Sequence, residues 1–143
     1  VCQITQQPEN FEAMSPGSLS KEIWTHRIDS LSLDTFGRPD PNLDPPCERT
    51  SDTTVVQALH LMNSNQMAGK VMADGSLADT LSKSELPPEK IIEAIYLACY
   101  SRLADADEIR LGTEQFTKTG NRRTATEDLL WALLNTPEFV FKD

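Results

Sequence analysis

The sequence predicts a mainly α-helical domain with an irregular, proline-rich N-terminal third. Apolar residues recur at helical spacing through the last third, whereas two-residue alternation is confined to an imperfect pattern over residues 24–36. Between Gly37 and Pro46, four prolines and two aspartates exclude a helix or a central strand, because proline fixes φ and removes a hydrogen-bond donor. We therefore expect a compact helical domain with room for one short strand pair.

Length and charge limit the possible partners. The 143 residues suit one domain, with an extended arm and a Pro-rich loop over residues 1–50 and a helical core over 51–143. Thirteen Lys and Arg against 22 Asp and Glu give a net charge of −9, which argues against nucleic acid as a partner. No apolar run approaches the roughly 20 residues that span a bilayer, so we expect no membrane insertion.

The first half contains few regular elements. Residues 1–22 predict at most a short helix followed by a loop, and residues 24–36 are the candidate strand. Ser51, Asp52 and Thr53 are candidate N-caps for a helix whose apolar stripe includes Val55 and Met62. Two further short helical segments are expected over residues 66–72 and 77–81, separated by a turn.

The last third predicts its helices most clearly. Pro88 suits the first turn of a helix in which Ile91, Ile92, Ile95, Cys99 and Arg102 are expected to line one face. A second helix is expected over residues 105–118, with an acidic first turn and with Ile109, Gly112 and Phe116 facing inward.

The final helix is expected after a break at Gly120 and Asn121. Thr124 followed by Glu127 matches a capping box, which places the helix start at Thr124. An apolar ridge follows, formed by Leu129, Leu130, Leu133 and Leu134, and Trp131 is read as a core residue. Pro137 ends the helix, and the apolar tail over residues 139–141 is expected to pack back onto the core.

The three cysteines indicate neither a zinc knuckle nor a haem attachment site in this chain. Cys2, Cys47 and Cys99 form no CxxC or CxxCH pattern. Cys99 lies in an apolar helical stretch and is interpreted as a small core residue. A disulfide between Cys2 and Cys47 stays open, because the separation of their Cα atoms cannot be read from sequence.

Two groups of residues are candidates for function. The first is the polar loop of Arg38, Asp40, Cys47, Glu48 and Arg49. It could form a binding or redox surface on which Arg49 clamps an anion. The interpretation we favour is structural, with Glu48 and Arg49 holding the loop through caps and ion pairs. The second is a polar helix face of His60 and Asn63, with His60 read as half-buried and hydrogen-bonded.

The sequence offers no recognisable catalytic or cofactor machinery. A metal site would need His60 to meet the distant His26 together with a carboxylate or Cys47, so no metal ligand is assigned. Neither a GxSxG motif nor a Gly-rich phosphate loop occurs, and we assign no catalytic residue.

Several short motifs together resemble the C-terminal domain of a large planctomycete protein family. They occur in order as residues 36–39, 47–49, 57–61 with Asn63, 96–97 with 101–102, and 128–135 with 138–139. The resemblance implies an exported, multidomain parent protein of which this chain is the C-terminal part, with planctomycete-type cytochrome c domains among its companions. The family loop usually reads Cys-x-Cys-Glu-Arg, whereas Pro45 occupies the first cysteine position here. The family's activity is not established, so the resemblance transfers no catalytic residue.

From these observations we expect a non-catalytic association module. It would mediate contacts with other domains of its parent or with proteins of the cell envelope. One alternative is an accessory domain of a redox protein whose haem c is bound outside this chain. A polysaccharide-binding or polysaccharide-processing module is a further alternative, although only two Trp and two Tyr are available for sugar stacking.

Overall fold

A computed structural model describes residues 1–12, 14, 15, 17, 18, 20–24, 28, 30, 33 and 64–140. These residues contain helices and no strand, which confirms the mainly α-helical prediction. The helices are α1 (Cys2–Thr5), α2 (Asn65–Met72), α3 (Leu77–Lys83), α4 (Pro88–Tyr100), α5 (Ala106–Thr119), α6 (Arg122–Leu134) and α7 (Pro137–Val140), with a 3₁₀ turn at Ser20–Glu22. Most of the candidate strand and the whole helix expected after Thr53 lie outside the described residues.

The chain divides into two compact units. One combines residues 1–7 with residues 65–143 and contains the helices α1 to α7, and the other comprises residues 8–64. In the second unit the described part includes the 3₁₀ turn and two buried apolar side chains, Phe11 and Ile28. The division into an arm over 1–50 and a core over 51–143 within a single domain stays a prediction.

The core of the helical unit is built on α4. Ile91, Ile92 and Ile95 are fully buried, as the helical spacing predicts. They form one cluster with Cys99 and with three buried leucines of α6, Leu130, Leu133 and Leu134. Helix α6 packs against α2, α3, α4 and α5, so it is the central element of the unit. Phe139 and the half-buried Trp131 pack against the same cluster.

Arg102 does not continue the buried face of α4, so that part of the prediction is wrong. Helix α4 ends at Tyr100, because Ser101 adopts the left-handed conformation with φ of 58° and its N–H bonds to the carbonyl of Leu97. The chain turns there, and Arg102 lies in the connection to α5. This position frees its guanidinium to reach residues of other helices.

The N-cap of α6 is Asn121, which lies three residues earlier than the capping-box pattern predicts. Gly120, with φ of 66°, ends α5, and Asn121 immediately caps α6 by accepting a hydrogen bond from the N–H of Thr124 at 3.2 Å. Thr124 is therefore inside the first turn rather than the cap. The side chain of Glu127 binds Arg123 at 2.8 Å instead of reaching back to a cap.

The chain turns again after α6 and forms the short helix α7. Pro137 begins α7, and the N–H groups of Phe139 and Val140 donate to the carbonyl of Thr136 at 3.1 Å. Phe139 packs against the core as the predicted tail would, whereas Phe141 lies outside the described residues. In the described part of the chain, no helix combines the length and the apolar character that crossing a bilayer requires.

Candidate functional site: the Arg102 cluster

The turn between α4 and α5 holds a network of charged and polar side chains. Asp105 opens α5 with a capping box. Its carboxylate accepts from the N–H of Glu108, and the Glu108 carboxylate accepts from the N–H of Asp105, both at 2.8 Å. This reciprocal pair fixes Glu108 beside the turn and aims its carboxylate at Arg102.

Arg102 binds two carboxylates at once, each through two hydrogen bonds. Its Nη1 and Nη2 donate to Glu108 at 2.8 and 2.9 Å, and its Nε and Nη2 donate to Glu138 at 2.8 and 2.9 Å. Nη1 also donates to the carbonyl of Leu103 at 3.2 Å. All five N–H groups of a guanidinium are therefore used. Arg102 therefore joins the start of α5 to α7, and its partner Glu138 lies 36 residues further along the chain.

Two tyrosines of α4 have their rings against this guanidinium. The Arg102 Cζ lies 5.4 Å from the ring centre of Tyr96 and 5.2 Å from that of Tyr100, within the range of cation–π attraction. The two rings meet edge to face with centres 5.5 Å apart. The Tyr100 hydroxyl lies 3.2 Å from the carbonyl of Leu133, to which it donates, and 2.6 Å from Thr136 Oγ1. We call Tyr96, Tyr100, Arg102, Glu108, Thr136 and Glu138 the Arg102 cluster.

Hydrogen bonds and burial shift the pKa values of the titratable groups in the cluster. The hydrogen bonds that Arg102 donates hold the pKa of Glu108 below its usual value. Acceptance of these bonds by Glu108, and then by Glu138, raises the pKa of Arg102. Burial raises the pKa of Tyr96 to about 12 and also raises that of Tyr100. Glu108 is therefore ionised and both tyrosines are neutral near pH 7, which suits them poorly to proton transfer at that pH.

A second arginine, Arg123, joins α6 to the end of α2 and to the turn between α2 and α3. It lies at the start of α6 and donates to the carbonyl of Met72 at 2.9 Å, to Asp74 at 3.1 Å and to Glu127 at 2.8 Å. Asp79 of α3 is buried, and its Oδ1 makes no hydrogen bond but lies 3.4 Å from Arg123 Nη1. The other oxygen, Oδ2, accepts from Lys83 at 2.7 Å and from the N–H of Gly75 at 2.8 Å, bonds that lower the pKa of Asp79.

The candidate site residues predicted from sequence are not among the residues that the structure describes. Arg38, Asp40, Cys47, Glu48, Arg49, His60 and Asn63 all fall outside the described residues, so their roles stay predictions. Cys2 and Cys99 are free thiols. Cys99 is buried as predicted, and burial raises its pKa to about 11. Among the described residues, no group of three or more His, Cys, Asp and Glu side chains could hold a metal ion.

Sequence reasoning missed the Arg102 cluster because it treated Arg102 as a helical residue. Two signals could have found it. The pattern Asp105-x-x-Glu108 is a capping box that the acidic first turn already suggested. An arginine three residues before the N-cap of such a box is placed where its guanidinium can reach the box carboxylate. The pairing with Glu138 has no local signature, since it depends on tertiary structure.

The surface of α4 and α5 carries two kinds of feature. A shallow groove of ≈ 600 Å³ runs over α5 between Glu89 and Lys118, lined by Ile109 and by charged and threonine side chains. Three leucines on α4, the α4–α5 connection and α5 are solvent-exposed: Leu97 by 55%, Leu103 by 64% and Leu111 by 57%. Leu103 is the residue whose carbonyl binds Arg102, so the cluster holds its backbone in place.

Comparison with known proteins gives one family. The family model described as PSD1, protein of unknown function (DUF1553), matches residues 16–116, which is well over half of the chain. No curated protein and no solved structure matches the chain.

Proposed function

We propose that this chain, which belongs to the PSD1 family of proteins of unknown function (DUF1553), is a non-catalytic module that binds another protein through the α4–α5 turn. The partner is a further domain of the parent protein or a protein of the cell envelope. The observation that carries the proposal is the exposure of Leu97, Leu103 and Leu111 around this turn. The cores of protein–protein interfaces are built from such apolar side chains, with few charged ones.

The rigidity of the turn supports the same proposal. Arg102 binds the Leu103 carbonyl, Glu108 and Glu138, while the capping box fixes the first turn of α5. A partner that binds here therefore meets a surface that is already ordered, and ordering costs little additional free energy on binding. All five N–H groups of Arg102 bind acceptors within the chain, which supports a structural role for the cluster in this proposal.

The cellular setting is part of the proposal and rests on the family resemblance described from the sequence. We propose an exported planctomycete-type parent whose haem c, where present, is bound outside this chain. A CxxCH motif in the upstream part of the parent gene, together with haem absorbance of the native protein, would support the haem assignment. A parent without that motif and without haem absorbance would overturn it.

Capture from envelope extract tests the association directly. The full chain, immobilised through its N-terminus, is compared with a Leu97→Ser/Leu103→Ser/Leu111→Ser variant. These side chains are exposed, so their replacement leaves the core intact. The matched control carries Met72→Ser and Leu86→Ser, which alter apolar side chains exposed by 56% and 42% at other elements. We expect the turn variant to lose a partner that the control variant retains. Equal capture by both variants would contradict the proposal.

A further inference from the structure

The turn between α2 and α3 contains the one Asp-Gly pair of the sequence, Asp74 and Gly75. The N–H of Ser76 donates to the carbonyl of Ala73 at 3.1 Å and closes a β-turn around this pair. Gly75 adopts φ of 75°, whereas Asp74 has no positive φ, which is the combination of a type II turn. The Asp74 side chain is 86% exposed, so water reaches its carboxyl group.

An aspartate that precedes glycine isomerises without an enzyme when the backbone permits ring closure. The backbone nitrogen of Gly75 attacks Cγ of the Asp74 carboxyl group. A C–N bond forms, and the carboxyl OH leaves with the amide proton as water. The product is a five-membered succinimide ring, which one water molecule opens to aspartate or to isoaspartate. Glycine favours ring closure because no side chain shields its nitrogen.

We propose that Asp74 is a site of spontaneous isomerisation to isoaspartate, and that Asp79 and Arg123 keep it unmodified as long as the turn is closed. The inference is independent of the proposed association function. Isoaspartate continues the main chain through its side-chain carboxyl carbon, so it adds one carbon atom to the backbone of the turn. This extra atom displaces Gly75 relative to Asp79, and the modified turn does not recover its original hydrogen bonds.

Asp79 provides the first and stronger restraint. Its Oδ2 accepts the N–H of Gly75 at 2.8 Å and is itself fixed by Lys83 at 2.7 Å. The Asp79 side chain is only 4% exposed, so it is largely removed from water. Attack on Asp74 requires that the Gly75 nitrogen lose its proton, and the adjacent carboxylate opposes the negative charge that would form there. Hydrogen bonds to carboxylates are roughly twice as strong as neutral ones.

Arg123 provides the second restraint. Its Nη1 donates to Asp74 Oδ1 at 3.1 Å, and its Nη2 donates to the carbonyl of Met72 at 2.9 Å. Ring closure consumes the Asp74 carboxyl group and so ends its contact with Arg123. This ion pair joins side chains exposed by 39% and 86%, and exposed pairs contribute little net stability. We therefore expect Asp79 to control the rate more strongly than Arg123 does.

An ageing experiment on the full chain tests the assignment. The protein is kept at neutral pH and constant temperature beside a peptide of residues 71–78, which has the same Asp-Gly pair without the contacts to Arg123. Protease digestion, liquid chromatography and fragment-ion mass spectrometry measure isoaspartate at position 74 over time. We expect the folded protein to form it at least about tenfold more slowly than the peptide, because the reaction requires local opening of the turn.

Two variants separate the local restraint from overall stability. Asp79→Ala removes the acceptor of the Gly75 N–H, and we expect isoaspartate to form at least about threefold faster than in the unaltered protein. Tyr100→Phe is the matched control, because it removes hydrogen bonds at the other end of α6 and leaves the turn intact. Its rate should stay within about twofold of that of the unaltered protein.

Equal rates for the folded protein and the peptide would overturn the restraint, as would equal rates for Asp79→Ala and the unaltered protein. An acceleration of the same size in Tyr100→Phe would also overturn it, because the reaction would then follow unfolding of the whole unit. A peptide that forms no isoaspartate would overturn the modification site itself. If far-UV circular dichroism shows that Asp79→Ala has lost its helices, Arg123→Gln replaces it, and a faster reaction is again expected.

Discussion

Gly112 of α5 lies against Ile92 of α4 so closely that a Cβ atom at position 112 would be 2.6 Å from Ile92 Cδ1 and 3.0 Å from its Cγ1. Ile92 is fully buried, and side chains in a close-packed core have little room to shift. The absence of a side chain at Gly112 therefore sets how closely α4 and α5 pack.

Replacing Gly112 by alanine should destabilise the protein although alanine favours helices. The propensity gain is about 1 kcal/mol, whereas overpacking a core costs roughly 1–3 kcal/mol. We expect the free energy of unfolding to fall by about 1 kcal/mol in urea denaturation. Gly69 of α2 is the matched control, because nothing lies within 4 Å of its Cβ position. Gly69→Ala should stabilise the protein, and a Gly112→Ala variant that is equally stabilised would contradict the close packing.

The Tyr100 hydroxyl should contribute to stability while that of Tyr96 should not. Tyr100→Phe removes the contacts with the Leu133 carbonyl and Thr136 Oγ1, and we expect a loss of about 1 kcal/mol in the free energy of unfolding. The hydroxyl of Tyr96 makes no hydrogen bond with the described residues, so Tyr96→Phe is the control. Equal losses in urea denaturation would contradict the assigned role of Tyr100 in fixing the start of α7.

Acid should weaken the fold through Glu108 and Asp79. Their pKa values in the folded state lie below the ordinary values of 3.8 for Asp79 and 4.5 for Glu108. As the pH falls through these ordinary values, the unfolded chain therefore binds more protons than the folded protein. The stabilisation they provide is fully present above pH 4.5 and is lost as the pH falls through the lower, folded-state values. We expect Glu108→Gln to be less stable than the unaltered protein at pH 6 and to show a shallower decline below pH 4.5.

The control for this pH dependence is Glu85→Gln, which alters an exposed carboxyl in the connection after α3. Its stability, measured by urea denaturation from pH 6 to pH 3, should follow that of the unaltered protein. A Glu108→Gln variant whose decline with acid is as steep as that of the control would show that Glu108 is not held in the ionised form by Arg102.

Cys99 should resist alkylation in the folded protein. It is buried, and burial raises the pKa of its thiol to about 11, so the reactive thiolate is scarce at pH 8. Cys2 is only half buried and should react first. Iodoacetamide treatment followed by peptide mapping checks the order, with a urea-unfolded sample as the control. Rapid modification of Cys99 in the folded protein would contradict its place in the core.

Local pattern was sufficient to predict most of the helical unit. The isoleucines at 91, 92 and 95 share one helical face, and Gly120 was correctly read as a break. The start of α6 was mistaken because two residues could serve as the cap. Asn121 precedes Thr124 and takes that role directly after Gly120, which satisfies the orphan N–H groups of the first turn at an earlier position.

The Arg102 cluster was harder to predict because its parts are far apart in sequence. Arg102 and Glu138 are 36 residues apart, and their pairing requires that α6 bring the chain back beside α4. Sequence periodicity describes which face of a helix is buried but not where the chain returns. The chemistry at Arg38, Cys47 and Arg49 stays a prediction, since those residues lie outside the described part.

Photo-crosslinking at the α4–α5 turn tests the central claim most directly. A photoreactive phenylalanine analogue replaces Leu103 in one sample and Met72 in the other, two apolar side chains exposed by 64% and 56%. Each labelled protein is prepared with and without the Leu97→Ser/Leu111→Ser changes. All four proteins are irradiated in envelope extract. The account predicts one discrete adduct from position 103, lost when the two leucines are changed, and no matching adduct from position 72. The same adducts from both positions, or none from position 103, would contradict it.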